Sequence, residues 1–472
     1  MKEYLKSVLS AATTLRNRVV ACATVEDRYF VPLLSPVLQN LRFADGFVRN
    51  TAVLMGGTTI AMVAPIIAFP LLTRLYTPHQ FGVFALFVSI VSVLSVPVTG
   101  NYDSAIMLPK KDREALNLVG VCLIFSLIVS AALFAGSLSF NPKIVGLLGS
   151  SSMSLWLPII APTALLLALQ QTFSAWSNRR KQFKRLGANR ITESILTPAL
   201  SVVLGLYSWG LTGLIVGLLG GKVVATGMLW RDLWQEKKKQ GLRVDKRTML
   251  EQGKRFSDFP LYSAPTSFLD VLALQIPVLF LTRFYGPAEV GLFSLTTRVV
   301  GAPLALIASC IGQVYYQWIA QAEYENRIIK SYIVKVALYL IVFVAGPVLV
   351  IMLFSPTLFS FIFGHEWRVA GDYARILAIP LAVKFVVSPL TTTMPASGRI
   401  KLGSAWRLAY FSGTLVVLWV ASHFSITAFL CAYAAHEVVA LSVCLALVMK
   451  ASSSVNVSMS DCGDKGNPPG EG

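Results

Sequence analysis

The sequence predicts an all-α polytopic membrane protein of about twelve transmembrane helices, in two six-helix lobes related by an internal parallel repeat. Three observations carry this: the composition, the spacing of the apolar runs, and a motif that recurs 209 positions along the chain. Of 472 residues, 55% are hydrophobic and 14% charged, against roughly 25% charged in an ordinary soluble domain. A mean hydropathy of +0.65 leaves too little polar residue to clothe three globular units, so the apolar surplus must face lipid. The net charge of +18 would point to nucleic acid in a soluble protein. On an apolar chain, the placement of the charge matters more than its sum, and nucleic acid is not an expected partner.

A hydrocarbon core about 30 Å thick needs about 20 apolar residues to cross as a helix. Runs of that kind fall near 51–73, 81–108, 115–138, 155–176, 191–208 and 210–230. A second group falls near 260–283, 290–316, 333–354, 373–395, 404–422 and 424–449. Trp156, Trp176, Trp209, Trp230, Trp318 and Trp367 sit at the expected span ends, where an amphipathic ring suits the headgroup zone. The expected organisation is an N-terminal extension (1–48), an N-lobe (49–230), a basic linker (231–259), a C-lobe (260–450) and a disordered tail (451–472). The extension contains one apolar stretch, YFVPLLSPVLQNL, that is too short to span and is interrupted by two prolines. Its first thirty residues lack the h-region and cleavage site of a secretory signal.

Alternate loops differ sharply in charge. With the N-terminus in the cytoplasm, the cytoplasmic segments hold 32 of the 41 Lys and Arg residues, and the opposite loops hold only Arg74, Lys143, Arg283 and Arg368. By the positive-inside rule both termini are expected in the cytoplasm. The six cysteines form no C-x-x-C pair and the four histidines show no metal-ligand spacing, so no disulfide framework, metal centre or cofactor is expected.

Leu72-Thr73-Arg74-Leu75-Tyr76-x-Pro78-x-x-x-Gly82-x-Phe84 matches Leu281-Thr282-Arg283-Phe284-Tyr285-x-Pro287-x-x-x-Gly291-x-Phe293 at seven positions, each between the first two spans of its group. Too many of these residues are polar or special for convergence of apolar strings. Further landmarks keep the same order, with Phe140-x-Pro142 opposite Phe354-x-Pro356 and Ser177-x-Arg179-x-Lys181 opposite Ser397-x-Arg399-x-Lys401. Six spans return each half to the side it started from, so the repeats share one orientation about an axis along the membrane normal. Parallel repeats with a midplane site between them are a transporter arrangement.

The stretch RLYTPHQFGVFALFVSIVSVLSV, the basic loop PKKDREA and the segment WSNRRKQFKRLGANRI resemble the polysaccharide transporters of the multidrug/oligosaccharidyl-lipid/polysaccharide exporter superfamily. The resemblance covers about residues 49–450 and is tighter in the first half. It implies a flippase of the bacterial inner membrane, carrying an undecaprenyl-diphosphate-linked oligosaccharide to the outer leaflet. It also implies membrane lipids and polysaccharide polymerase or export proteins as partners. A cation-coupled multidrug exporter of the same superfamily is the alternative, weakened because the first span has no acidic residue between Thr51 and Arg74. A multispanning O-antigen ligase or polymerase is weaker still: the longest outer loop, near 355–372, offers only His365, Glu366, Arg368 and Asp372, and no nucleophile motif or glycine-rich phosphate loop appears. No catalytic residues are expected, and the protein is read as a transporter rather than an enzyme.

A charge at mid-membrane is costly and usually faces a cavity or a partner. Lys222, Arg298 and Lys384 are the candidate lumen cations; fixed positive charge lowers the Coulomb cost of carrying a diphosphate, and Arg chelates phosphate with two nitrogens. Interhelical ion pairs are the competing role for each. Asp270 either pairs with Arg298 or holds a coupling cation, with pairing favoured. Arg74 and Arg283 occupy equivalent outer ends, as an outer gate or as interface anchors. Arg179, Arg180 and Lys181 enforce topology, with attraction of the headgroup as a secondary role. His436 and Glu437 form either a proton relay or a satisfied pair. Pro65, Pro70, Pro265 and Pro277 are candidate bending points in the first and seventh spans.

Overall fold

A computed structural model describes residues 61–241, 244–324, 329–396 and 400–453. The expected extension at 1–48, the start of the first span, and the tail beyond residue 453 lie outside the described residues. Among the described residues, every regular element is helical. The long helices are α1 (Ala61–Leu75), α2 (Pro78–Thr99), α3 (Asp112–Ser139), α4 (Leu157–Arg179), α5 (Phe183–Leu206) and α6 (Leu211–Lys239). They continue as α7 (Phe259–Tyr285), α8 (Pro287–Thr296, a π-helical turn Thr297–Gly301, then Ala302–Tyr324), α9 (Ile329–Phe363), α10 (Arg368–Leu390), α11 (Ile400–Ala421) and α12 (Ile426–Ser453). Ten of these, among the described residues, are long and apolar enough to cross a membrane. The other two are α1, whose described part has fifteen residues, and α5, whose first turns carry Lys184, Arg185, Arg190 and Glu193. The chain is a multi-pass membrane protein. Leu338, Ile341, Val342 and Phe343 of α9 are exposed apolar side chains, as a lipid-facing surface requires.

Two spans end elsewhere than their hydropathy suggests. α2 stops at Thr99 instead of reaching 108, because Gly100 and Asn101 both take left-handed backbone conformations (φ 57° and 55°) and break the helix. Asn101 is held there by donating its side-chain amide to Ser263 Oγ (3.0 Å) and Ser267 Oγ (2.7 Å) at the start of α7. At the other side of the molecule, α9 runs through Pro356 to Phe363, so the outer loop expected at 355–372 shrinks to a turn around Gly364–Trp367. Ser355 Oγ donates to Gly371 O (2.7 Å) and binds the two helix ends together.

α5 and α6 pack with their backbones close. Gly213, Gly217 and Gly221 form a ladder of small residues facing Gly205, Ser201 and Thr197; a Cβ at Gly217 would lie 2.2 Å from Ser201 Oγ, and one at Gly221 would lie 2.0 Å from Thr197 Oγ1. Without a hydrophobic driving force between helices in lipid, close van der Waals contact of this kind holds them together. Tyr76, from the repeated motif, inserts at the end of the ladder and donates to Ser201 O (2.6 Å). Burial pushes its phenol up to about 12, so it remains a donor at any biological pH. Its repeat counterpart Tyr285 donates to Phe424 O (2.8 Å) and Ala421 O (3.2 Å) at the end of α11, the fifth helix of the second half. The same residue thus ties the first connection of each half to the fifth helix of that half.

The repeated glycine does the opposite and joins the halves. α2 and α8 cross with Gly82 and Gly291 in contact: a Cβ at Gly82 would lie 1.6 Å from Pro287 O, and one at Gly291 would lie 1.9 Å from Pro78 O. The surrounding core draws on both halves. Trp367 packs edge-on against Phe81 (5.1 Å between centroids) and donates its indole N–H to Thr73 O (2.9 Å).

On the face opposite this crossing, the stretch between α6 and α7 contains a helix, Lys246–Arg255, laid against α3. Asp245 caps it by accepting from Thr248 N (3.1 Å) and Thr248 Oγ1 (3.0 Å), and its own N–H donates to Asn117 Oδ1 (2.8 Å) on α3. Tyr102 donates to Gly253 O (3.2 Å).

Two outcomes test this architecture. Gly82→Val or Gly291→Val drives a side chain into backbone, and overpacking typically costs about 1–3 kcal/mol; each variant should melt lower in detergent than wild type, with Gly136→Val, which meets open space, as the control. The hydrogen bonds from Thr248 hold the Asp245 carboxyl below its ordinary range, so the cap is intact at neutral pH and is lost only as pH falls through that lowered value. Protection of the 246–255 amides, with each exchange rate normalised to the intrinsic rate at that pH, should therefore be high at pH 7, fall at strongly acidic pH, and be low at both in Asp245→Ala.

Candidate functional site

Just past the crossing, α2 and α8 separate around two cavities. The first, about 460 Å³, is lined by Ala85, Val88 and Ser89 of α2 and by residues of α7, α8, α10, α11 and α12. Both halves therefore supply walls. Its polar lining includes Arg298, Lys384, Gln275, Ser388, Tyr410 and Tyr433, and no Asp or Glu among the described lining residues. The second, about 610 Å³, lies within the first half between α1, α2, α5 and α6, and Arg190, Glu193 and Arg298 reach it. Arg298 stands at the partition between the two.

Its position follows from the local backbone. The π-helical turn Thr297–Gly301 widens α8 at Arg298, and such single-turn bulges redirect a side chain out of the regular helical phase. Thr296 and Thr297 on either side of the change bond back to carbonyls at Leu292 and Phe293, while Thr296 Oγ1 also donates to Ala370 O (2.8 Å) on α10. The guanidinium lies over the Phe84 ring of α2, 5.9 Å from its centroid. No carboxylate pairs with Arg298 or Lys384 among the described residues. Neither cation is neutralised by a paired carboxylate, although Glu437, buried behind the lining tyrosines, accepts from Tyr410; the low-dielectric walls strengthen the field the two cations leave in the cavity.

Lys222, the third candidate cation, lines neither cavity. Its ammonium is 2.9 Å from Glu193 Oε1 and 3.4 Å from Gln170 Oε1, and Gln170 also donates to Glu193. The residue is an interhelical ion pair joining α4, α5 and α6. Glu193 did not stand out in the sequence, although the small-residue ladder Gly213-Gly217-Gly221 was a readable sign that α5 and α6 approach closely enough to pair it with Lys222.

Asp270 pairs with a different residue from the one expected. Its carboxylate accepts from Arg407 on α11 (2.8 Å), not from Arg298, because α7 presents this face to α11 while the bulge in α8 carries Arg298 towards α2. His436 and Glu437 are not partners of each other either: Glu437 accepts from Tyr410, and His436 Nε2 lies 3.0 Å from Thr414 Oγ1, so α11 satisfies both.

Arg74 and Arg283 lie on the face where α2 and α8 cross, each exposed and each beside the other half. Arg74 lines a cleft of about 280 Å³ with Gly364, His365, Glu366 and Trp367. Arg283 packs its backbone and Cδ against Gly149, whose φ of +70° ends the helix Asn141–Leu148. On the basic face, Arg179 binds Asp112 (3.0 Å) and the carbonyls of Ile106 (3.2 Å) and Met107 (3.3 Å), while Arg180 binds Asp112 and Glu236. Gln182 and the Trp176 indole also donate to Glu236. The two arginines are committed to a network tying α3, α4 and α6, and Lys181, with φ 55°, is the exposed member of the trio.

Solved transporter structures share the fold of this helical bundle. The lipid II flippase MurJ in an inward closed conformation superposes with a TM-score of 0.69 over 88% of this chain and 94% of MurJ, at 11% identity. An inward-facing multidrug resistance MATE transporter of the MOP superfamily gives 0.64 over 84% of this chain and 96% of that one, at 16% identity. At these identities the likeness is one of fold. Residues 71–372 match the polysaccharide biosynthesis protein family, and the chain belongs to that family. The teichuronic acid biosynthesis protein TuaB of Bacillus subtilis is 23% identical over 218 residues, 43% of this chain and 44% of TuaB. The succinoglycan biosynthesis transport protein ExoT of Rhizobium meliloti is 20% identical over 334 residues, 70% of this chain and 64% of ExoT. Each match covers less than two thirds of the relative's length.

The Lys222–Glu193 pair has a diagnostic mutational signature. Removing one partner of a buried pair costs on the order of 3 kcal/mol, because the other charge is stranded. Lys222→Met should lower the melting temperature more than the double variant Lys222→Met/Glu193→Gln, which loses both charges together.

Proposed function

We propose that the protein is a flippase that moves undecaprenyl-diphosphate-linked oligosaccharide repeat units across the bacterial inner membrane by alternating access of its two lobes, 49–230 and 260–450. One observation supports this most: Arg298 and Lys384 line a cavity walled by both halves and carry no opposing carboxylate among the described residues. A diphosphate crossing a low-dielectric zone needs compensating charge that is not already neutralised, and Arg298 supplies two nitrogens suited to phosphate oxygens. Gln275, Ser89, Ser388 and the two tyrosines offer hydrogen bonds to sugar hydroxyls in the same space.

In this reading the basic face, with the Arg179–Arg180 network and the 246–255 helix, is cytoplasmic, both termini lie on that side, and the Gly82–Gly291 crossing closes the outer side. Cargo enters from the cytoplasmic leaflet and meets Arg298 at the partition between the cavities. Separation of the α2/α8 crossing, with Arg74 and Arg283 at its rim, releases the headgroup outward. The polymerase that joins repeat units is the expected downstream partner.

The test is complementation of a bacterial strain lacking its own repeat-unit flippase. Wild type should restore surface polysaccharide. Arg298→Ala and Lys384→Ala each remove a charged contact worth about 1.5–3 kcal/mol, a loss of roughly tenfold to a hundredfold in binding. Polysaccharide should fall sharply in each variant and further in the double, with Arg298→Lys retaining part of it. Full polysaccharide from the double variant would overturn the proposal.

A further inference from the structure

A third cavity lies away from both charged ones. It has a volume of about 430 Å³ and is lined almost wholly by apolar side chains of α2 (Ile90, Leu94), α3 (Leu133), the Asn141–Leu148 helix (Ile144) and α4 (Ile160). One wall, Leu279, comes from α7 of the second half. Beside the lining residues Leu133 and Gly136, the side chains of Phe134, Leu138 and Phe140 at the end of α3 are exposed. Gly136 lies in its lining, and a side chain added there would meet no atom within 4 Å. Its one polar lining side chain, Ser137, already donates to Phe134 O (2.7 Å), and a pocket of this kind stays dry or fills with hydrocarbon.

One charge lies beside its lining. Lys143, on the Asn141–Leu148 helix, holds its ammonium 5.9 Å from the centroid of the lining residue Phe140. Lys143 is one of only four basic residues in the loops expected on that side of the membrane. A cation at the end of an apolar slot matches the two parts of an anionic phospholipid, with the headgroup at the lysine and a chain in the slot.

We propose that this pocket is a binding site for one acyl chain of an anionic bilayer phospholipid, with its headgroup at Lys143. Because Leu279 belongs to the second half while the remaining walls belong to the first, the bound chain fills the seam between the lobes. It stabilises the arrangement in which α7 lies against α2, and any movement that withdraws α7 opens the slot and releases the chain. Bilayer composition thereby biases the lobe equilibrium.

The test uses the full chain in vesicles of phosphatidylethanolamine and phosphatidylglycerol, with a phosphatidylglycerol probe that carries a photoactivatable group midway along one chain. Adducts should concentrate on peptides spanning 129–148. They should be lost in Gly136→Trp, which fills the slot from its open side, and in Ile144→Trp, which fills it from another wall; melting in detergent identifies any variant that fails to fold. A phosphatidylcholine probe bearing the same chain should label these peptides more weakly than the phosphatidylglycerol probe, and Lys143→Ala should abolish that difference. Labelling that is spread evenly over the spans, or that persists in both folded tryptophan variants, would overturn the proposal. So would capture of a polyprenyl phosphate probe in place of the phospholipid.

Discussion

The arrangement hangs on the absence of two side chains. At Gly82 and Gly291 the backbones of α2 and α8 approach until each glycine faces the carbonyl of the other helix's first residue, Pro287 or Pro78. Helices that meet this tightly at one end must diverge from there. The junction cavity begins within one turn of the contact, at Ala85 on α2 and Phe293 on α8, and continues through Val88, Ser89, Thr297 and Arg298. The same closeness draws Trp367 onto Phe81 and lets its indole reach Thr73 O, so one end of the seam is dry and hydrogen-bonded while the space behind it stays open. Nothing larger than hydrogen at those two positions would allow the closed end and the open cavity to coexist.

Charge is distributed by the same economy. Several carboxylates hold cations in place: Asp112 and Glu236 hold the arginines at the end of α4, Glu193 holds Lys222, and in the second half Asp270 holds Arg407. These pairs join helices that need joining, and they add little net field. Arg298 and Lys384 differ in having no such partner among the described residues, and both face the cavity that the lobes share.

Much of this was legible in the sequence, for physical reasons. Long apolar runs identify spans because a helix is the way to satisfy backbone polar groups in lipid, and the T-R-[LF]-Y-x-P-x-x-x-G-x-F motif stood out because polar and glycine residues there are structural necessities. The span boundaries were less legible. Hydropathy cannot see the left-handed Gly100–Asn101 break that shortens α2, nor the continuation of α9 through Pro356. Pairings were the least legible. Buried cations and anions can be found one by one, but whether Asp270 meets Arg298 or Arg407 depends on helix rotation, and the π-helical turn at Thr297–Gly301 changes that rotation without any signature in the spacing. Arg298 and Lys384 were found because an intramembrane charge is conspicuous; Glu193 was overlooked because it lies in the polar first turns of α5.

The α2/α8 crossing has one more property. Pro78 meets Gly291 as Pro287 meets Gly82, so equivalent atoms exchange places across an axis between the two helices. That is the isologous pattern by which two identical subunits recognise each other in a symmetric dimer. Each half therefore presents a self-complementary patch, and the covalent connection between them supplies proximity and order of synthesis rather than the recognition itself. A contact of this type works equally well between separate chains.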